Sequence, residues 1–171
     1  MTQTPAPTET ADRNRPLVTA VIGNPKPDSR THRLAIALAG RIAEGLGGDQ
    51  ETVDLATGDD EAVAKLEAAD IVIAASPTYK ATYSGLLKSC LDQLPYRGLA
   101  GKVGIGLMIS ASELHLFAAE TYLRPLLVEL GTSCPVPALA VTEPELAENG
   151  IETTVDKWWT ENGPTLERWF S

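Results

Sequence analysis

From Leu17 onward, short apolar runs rich in β-branched residues alternate with longer stretches whose apolar positions recur at helical spacing. Residues 17–23 read as a buried strand, and a loop with Pro25 and Pro27 follows. Residues 31–45 then read as a helix, because Leu34, Ala35, Leu38 and Ile42 fall on one face. Ser29 or Thr31 is its natural N-cap, since a short hydroxyl side chain satisfies an orphan amide there. Further strands are predicted over 51–55, 70–75, 102–109 and 134–141, and further helices over 60–68, 83–94, 113–130 and 153–170. Asp59 or Asp60 can cap the second helix. The 70–75 run is apolar on both faces, as a parallel strand covered on both sides must be. Pro125 predicts a kink or break in the fourth helix. Pro135 and Pro137 place the fifth strand at a sheet edge, and Pro164 interrupts the regularity expected of the last helix.

Five strands alternating with helices imply an α/β fold: a doubly wound, five-stranded parallel sheet in three layers, α/β/α. Right-handed crossovers place helices on both faces. In such folds ligands bind at the carboxyl ends of the strands, so the loops after strands one, three and four are the candidate site. Residues 17–171 form one domain, and residues 1–16, rich in Thr, Pro, Glu and Ala, read as a disordered tail.

Charge narrows the partners. The chain has 171 residues and a formal net charge of −9, which disfavours nucleic acid and anionic membrane surfaces. No apolar run approaches the roughly 20 residues of a membrane span, and the N-terminus lacks the pattern of a signal peptide. These features imply a cytoplasmic protein. Cys90 and Cys134 have no metal or disulfide spacing and are expected as buried thiols. No metal-ligand cluster and no nucleophile–base arrangement stands out, so no metal and no catalytic side chain is nominated.

Against that acidic background the first loop, Gly23-Asn24-Pro25-Lys26-Pro27-Asp28-Ser29-Arg30-Thr31-His32, is locally cationic. It delivers Lys26, Arg30 and Arg33 to a helix start, where free amides and the helix dipole favour a phosphate. Ser29 and Thr31 add hydroxyls, and His32 is a further donor nearby. The second loop, residues 76–85, begins Ser76-Pro77 and must turn, exposing Tyr79, Tyr83 and backbone amides suited to a flat aromatic ring. The third, Ser110-Ala111-Ser112-Glu113-Leu114-His115, has small residues that permit close approach; His115 reads as structural. Gly101-Lys102-Val103-Gly104-Ile105-Gly106 has the wrong spacing for a nucleotide loop and lies inside a strand.

Together these loops resemble the NADPH-dependent FMN reductase family, and within it the branch that serves two-component alkanesulfonate monooxygenases. The resemblance rests on Gly23-Asn24-Pro25-Lys26 followed by Ser29-Arg30-Thr31, and more specifically on the stretch from Ser76-Pro77-Thr78-Tyr79-Lys80-Ala81 to Lys88. It continues through Leu91-Asp92-Gln93-Leu94-Pro95, Leu99-Ala100-Gly101-Lys102, His115 and Arg124-Pro125, and covers roughly residues 18–141. It implies a flavodoxin-like fold that binds FMN, with NADPH or NADH as electron donor. By position, Asn24, Lys26, Ser29, Arg30 and Thr31 would meet the phosphate. Pro77, Thr78, Tyr79 and Lys80 would lie against the ring, with Ser110, Ala111 and Ser112 on its other side. Family members are usually homodimers or homotetramers, and a flavin-dependent monooxygenase is the implied protein partner. The branch's inserted tyrosine, linked to a π-bulge in the fourth helix, is replaced by Thr121 next to Tyr122, so what depends on it is not carried over. Two other readings stay open: a quinone or azo reductase with bound FMN, and a flavodoxin-type electron carrier.

Overall fold

The structure is a computed structural model that describes residues 15–171. Of the tail expected over residues 1–16, all but Arg15 and Pro16 lie outside the described residues. Five parallel strands form one sheet in the order β2-β1-β3-β4-β5. They are β1 (Leu17–Ile22), β2 (Asp49–Asp54), β3 (Ile71–Pro77), β4 (Val103–Ser110) and β5 (Leu139–Thr142). The helices are α1 (Arg30–Leu46), α2 (Ala62–Ala68), α3 (Gly85–Leu91), α4 (Arg124–Glu129), α5 (Glu143–Asn149) and α6 (Ile151–Trp169).

Strand pleating sorts the core into two layers, because successive side chains point to opposite faces. Ile71, Ile73 and Ala75 of β3 join α1 and α6 on one face, while Val72 and Ala74 join α2, α3 and α4 on the other. Burying one such isoleucine contributes about 2 kcal/mol. An exposed ion pair such as Arg15–Asp49, with side chains 62% and 64% exposed, contributes at most about 1 kcal/mol. Apolar burial, then, holds the strand ends in place.

The differences from the sequence reading have local causes. The fourth helix is broken into a 3₁₀ turn (Glu113–His115), a π-helical turn (Ala119–Leu123) and α4. Pro125 has no amide to give the Thr121 carbonyl, and the widened turn just before it accommodates the ring. The π-turn therefore forms with Thr121 and Tyr122 in it, without the family branch's tyrosine insertion. β5 begins at Leu139, not at residue 134, because Pro135 and Pro137 cannot donate to the ladder. α5 was not anticipated. α6 runs through Pro164 unbroken, held by Trp158, Trp159 and Leu166 against the core.

Cys90 is buried and Cys134 only partly so, which corrects the expectation of two buried thiols. Burial pushes the Cys90 thiol above its ordinary pKa. A thiol-specific reagent is expected to label Cys134 in the native protein and Cys90 only after denaturation. Labelling in native and denaturing buffer followed by peptide mass mapping checks this.

Candidate functional site

The strand order reverses direction between β1 and β3: the chain leaves β1 into α1 on one face and β3 toward α3 on the other. A crevice opens at such a switch point. A cavity of about 540 Å3 lies there, lined by the first loop together with Pro77, Tyr79, Ile109 and Glu143.

Each wall has a sequence cause. Ser29 is extended and caps α1, its hydroxyl accepting from the His32 amide at 3.1 Å. Asn24 folds the loop onto itself: its Oδ1 accepts from the Lys26 amide at 3.0 Å and its Nδ2 donates to Thr31 Oγ1 at 3.2 Å. Both hydroxyls act as acceptors in these bonds and keep a proton to donate. The Arg30 and Thr31 amides have no acceptor among the described residues, as befits the first turn of a helix. Lys26, Arg30 and Arg33 bring positive charge to the same space.

The β3 side is built on a buried polar relay. Ser84 caps α3 by accepting from the Leu87 amide at 3.1 Å, donates its hydroxyl proton to the Gly23 carbonyl, and gives its own amide to Ser76 Oγ at 2.8 Å. This ties the β1 end, the β3 end and α3 together. Ser84→Ala removes a cap and strands a buried carbonyl, and is expected to cost about 2 kcal/mol; urea unfolding of the variant checks this.

The turn after β3 is tighter than composition suggests. Tyr79 and Thr82 exchange amide–carbonyl bonds at 2.8 and 3.0 Å across Lys80 and Ala81, both at positive φ (50° and 66°). Thr78 gives its amide to the Ile109 carbonyl at 2.8 Å, and its hydroxyl pairs with Ser110 Oγ at 2.7 Å. Of the backbone donors expected to be exposed in the 76–85 loop, those of Thr78, Tyr79 and Thr82 are thus used internally, while the Lys80 and Ala81 amides at the turn tip lack acceptors among the described residues. Tyr79 is exposed, whereas Tyr83 packs against the core.

Of the residues picked out in the sequence, Asn24, Lys26, Ser29, Arg30, Thr31, Pro77 and Tyr79 line the one cavity. Ala111 and Ser112 line a neighbouring hollow with Glu113, Leu114, Thr142 and Pro144. Thr78, Lys80 and Ser110 line neither; Thr78 and Ser110 join the β3 and β4 ends. His32 is also outside the cavity lining, with Nε2 3.6 Å from Asp54 Oδ2. Gly104 and Gly106 lie within β4, where a Cβ on Gly104 would come 2.3 Å from Thr132 Oγ1, so their role is packing.

Sequence reasoning missed Glu143. Its carboxylate reaches Arg30 Nη2 at 3.1 Å across the cavity. The signal was present: Thr142, followed by Pro144 and Glu145, reads as a helix start. Thr142 Oγ1 does accept from the Glu145 amide at 3.2 Å, capping α5 at the end of β5.

The cavity fits a flavin phosphate: free helix-start amides, two hydroxyls and three cations converge, and its volume is in the range of small-molecule sites. Comparison with known proteins gives relatives of the domain. FMN reductase (NADPH) from Escherichia coli is 47% identical over 66 residues, covering 39% of this chain and 35% of that protein. A second, from Pseudomonas putida, matches over 32% of its length, so the first relatives are matched over about a third of their length. The NADH-dependent FMN reductase SfnF of Pseudomonas putida is 32% identical over 127 residues, 64% of this chain and 68% of that one. The solved apo structure of the NADH:FMN oxidoreductase EMOB superposes with a TM-score of 0.75 at 26% identity, covering 85% of this chain and 89% of that one. A flavodoxin from Streptococcus pneumoniae, at 18% identity and a TM-score of 0.59, shares the fold. The model of the NADPH-dependent FMN reductase family matches residues 16–145, most of the domain, and the chain belongs to that family.

Proposed function

We propose that this protein is an NAD(P)H:FMN oxidoreductase that transfers hydride from NADPH or NADH to FMN. The observation that carries this reading is the cationic cavity at the β1/β3 switch point, in a chain of this family. FMN, when bound, supplies the hydride-accepting ring, and the protein supplies position and electrostatics. Lys26, Arg30 and Arg33, the Arg30 and Thr31 amides, and the Ser29 and Thr31 hydroxyls hold the phosphate. Pro77 and Tyr79 form the wall that orients the ring, with Lys80 at the turn tip and Ala111 and Ser112 in the adjoining hollow. Thr78 and Ser110 fix the spacing of those two loops through their hydroxyl pair. Hydride transfer between stacked rings needs no acid, base or nucleophile from the chain, and none is assigned.

The reading includes self-association, supported by the exposed apolar side chains Leu114, Phe117, Tyr122 and Val128 on the stretch between β4 and β5, and delivery of reduced flavin to a monooxygenase. Free Cys90 and Cys134 support a cytoplasmic setting. Among the described residues, no helix is long and apolar enough to cross a membrane. Steady-state oxidation of NADPH and of NADH, with FMN added and no second protein, is the test. FMN-dependent turnover with at least one donor is expected; turnover with neither refutes the proposal and leaves the quinone or azo reductase and the electron carrier.

A further inference from the structure

We propose that Glu143 weakens the hold of this cavity on the flavin phosphate, so that FMN exchanges as a substrate instead of staying bound. This rests on the flavin reading above. The cavity lining carries three cations, Lys26, Arg30 and Arg33, and two carboxylates, Asp28 and Glu143. The carboxylates are not equivalent. The Asp28 side chain is 93% exposed, where water screens it. The Glu143 side chain is 43% exposed and engages Arg30 Nη2 at 3.1 Å. Arg30 is the cation beside the free amides of the α1 start, so an anion placed there meets a guanidinium already matched by a negative charge.

Glu143 cannot easily leave. Its neighbour Thr142 is buried, paired in register with Ser110 of β4, and bonded as the cap of α5. The carboxylate therefore starts from the sheet itself, at the first turn of a helix whose dipole favours a negative charge there. The pair adds little to stability, because half-exposed ion pairs rarely do. Its larger consequence is repulsion toward a second anion in the same cavity. A dianionic phosphate feels that repulsion, and a flavin without phosphate does not.

Glu143→Gln separates charge from geometry, since the amide oxygen still accepts from Arg30. Dissociation constants for FMN and for riboflavin, from quenching of flavin fluorescence, and the FMN dissociation rate from rapid dilution, are measured for both proteins. The FMN constant is expected to fall about tenfold in the variant, with slower release, while riboflavin changes by less than about twofold. Asp28→Asn, at the screened carboxylate, is expected to change FMN affinity by less than about twofold. Unchanged or weaker FMN binding by Glu143→Gln overturns the proposal and makes Glu143 a positioning residue for Arg30. Equal tightening by both variants also overturns it, because the effect is then one of net charge. If the unaltered protein binds FMN no better than riboflavin, the phosphate-site reading falls first, and this inference with it.

Discussion

Replacing Arg30 with Ala is expected to raise the dissociation constant for FMN about thirtyfold, close to 2 kcal/mol, the typical size of one charge-assisted hydrogen bond. Arg30 begins α1, beside the amides of Arg30 and Thr31 that have no acceptor among the described residues. Its loss removes a cation and also leaves Glu143 facing the cavity without its partner. The two effects act in the same direction. Lys26 is exposed at the loop and forms no ion pair among the described residues, so Lys26→Ala is expected to cost less, about fivefold. Riboflavin is the control, and its affinity is expected to move by less than about twofold, since phosphate contacts act only on the phosphate. Fluorescence titrations with both flavins at two salt concentrations check the result. The Arg30 effect shrinks at high salt if charge is its cause.

Gly23→Ala is expected to destabilise the fold by about 3 kcal/mol, the upper end for overpacking a filled site. The end of β1 has no room: a Cβ on Gly23 would lie 2.4 Å from Leu87 Cβ and 3.0 Å from Ser84 Oγ. Leu87 is fully buried. The Gly23 amide donates to the Ala75 carbonyl at 2.8 Å and its carbonyl accepts from Ser84, so the backbone is held from both sides. Relief by movement would displace the loop that carries Asn24 to Thr31. A fall in Tm of about 6–12 °C is expected for a chain of this size, together with weaker FMN binding. Gly85→Ala is the matched control, because a Cβ there meets nothing within 4 Å and Gly85 begins α3. It is expected to be neutral or to gain up to about 1 kcal/mol.

These two sites mark what the sequence made legible. The first loop could be read because its cations contrast with a net charge of −9, and because Ser29 sits where a helix start needs a cap. Apolar strands separated by amphipathic stretches were enough to predict the doubly wound sheet, and β3, buried along nearly its whole length, is the plainest case. What stayed hidden depended on contacts between distant segments. That Ser84 bonds to Gly23, 61 residues away, follows only from the parallel pairing of β1 with β3. Arg30 and Glu143 meet because β1 and β5, though two strands lie between them, both end at the carboxyl end of the parallel sheet. The sequence exposes the amides of the 76–85 loop to a ring, but β4 places the Ile109 carbonyl where it takes up that of Thr78. The π-turn before Pro125 was read as a kink or break, because a proline marks where helical bonding fails but not how the chain absorbs it.

The most direct test of the central claim is an anaerobic titration of the purified protein and FMN with NADPH, then with NADH, following flavin absorbance. The account predicts that the flavin absorbance bleaches in proportion to added nicotinamide nucleotide, and only when the protein is present. Unchanged absorbance with both donors, from a protein that binds FMN, would contradict it.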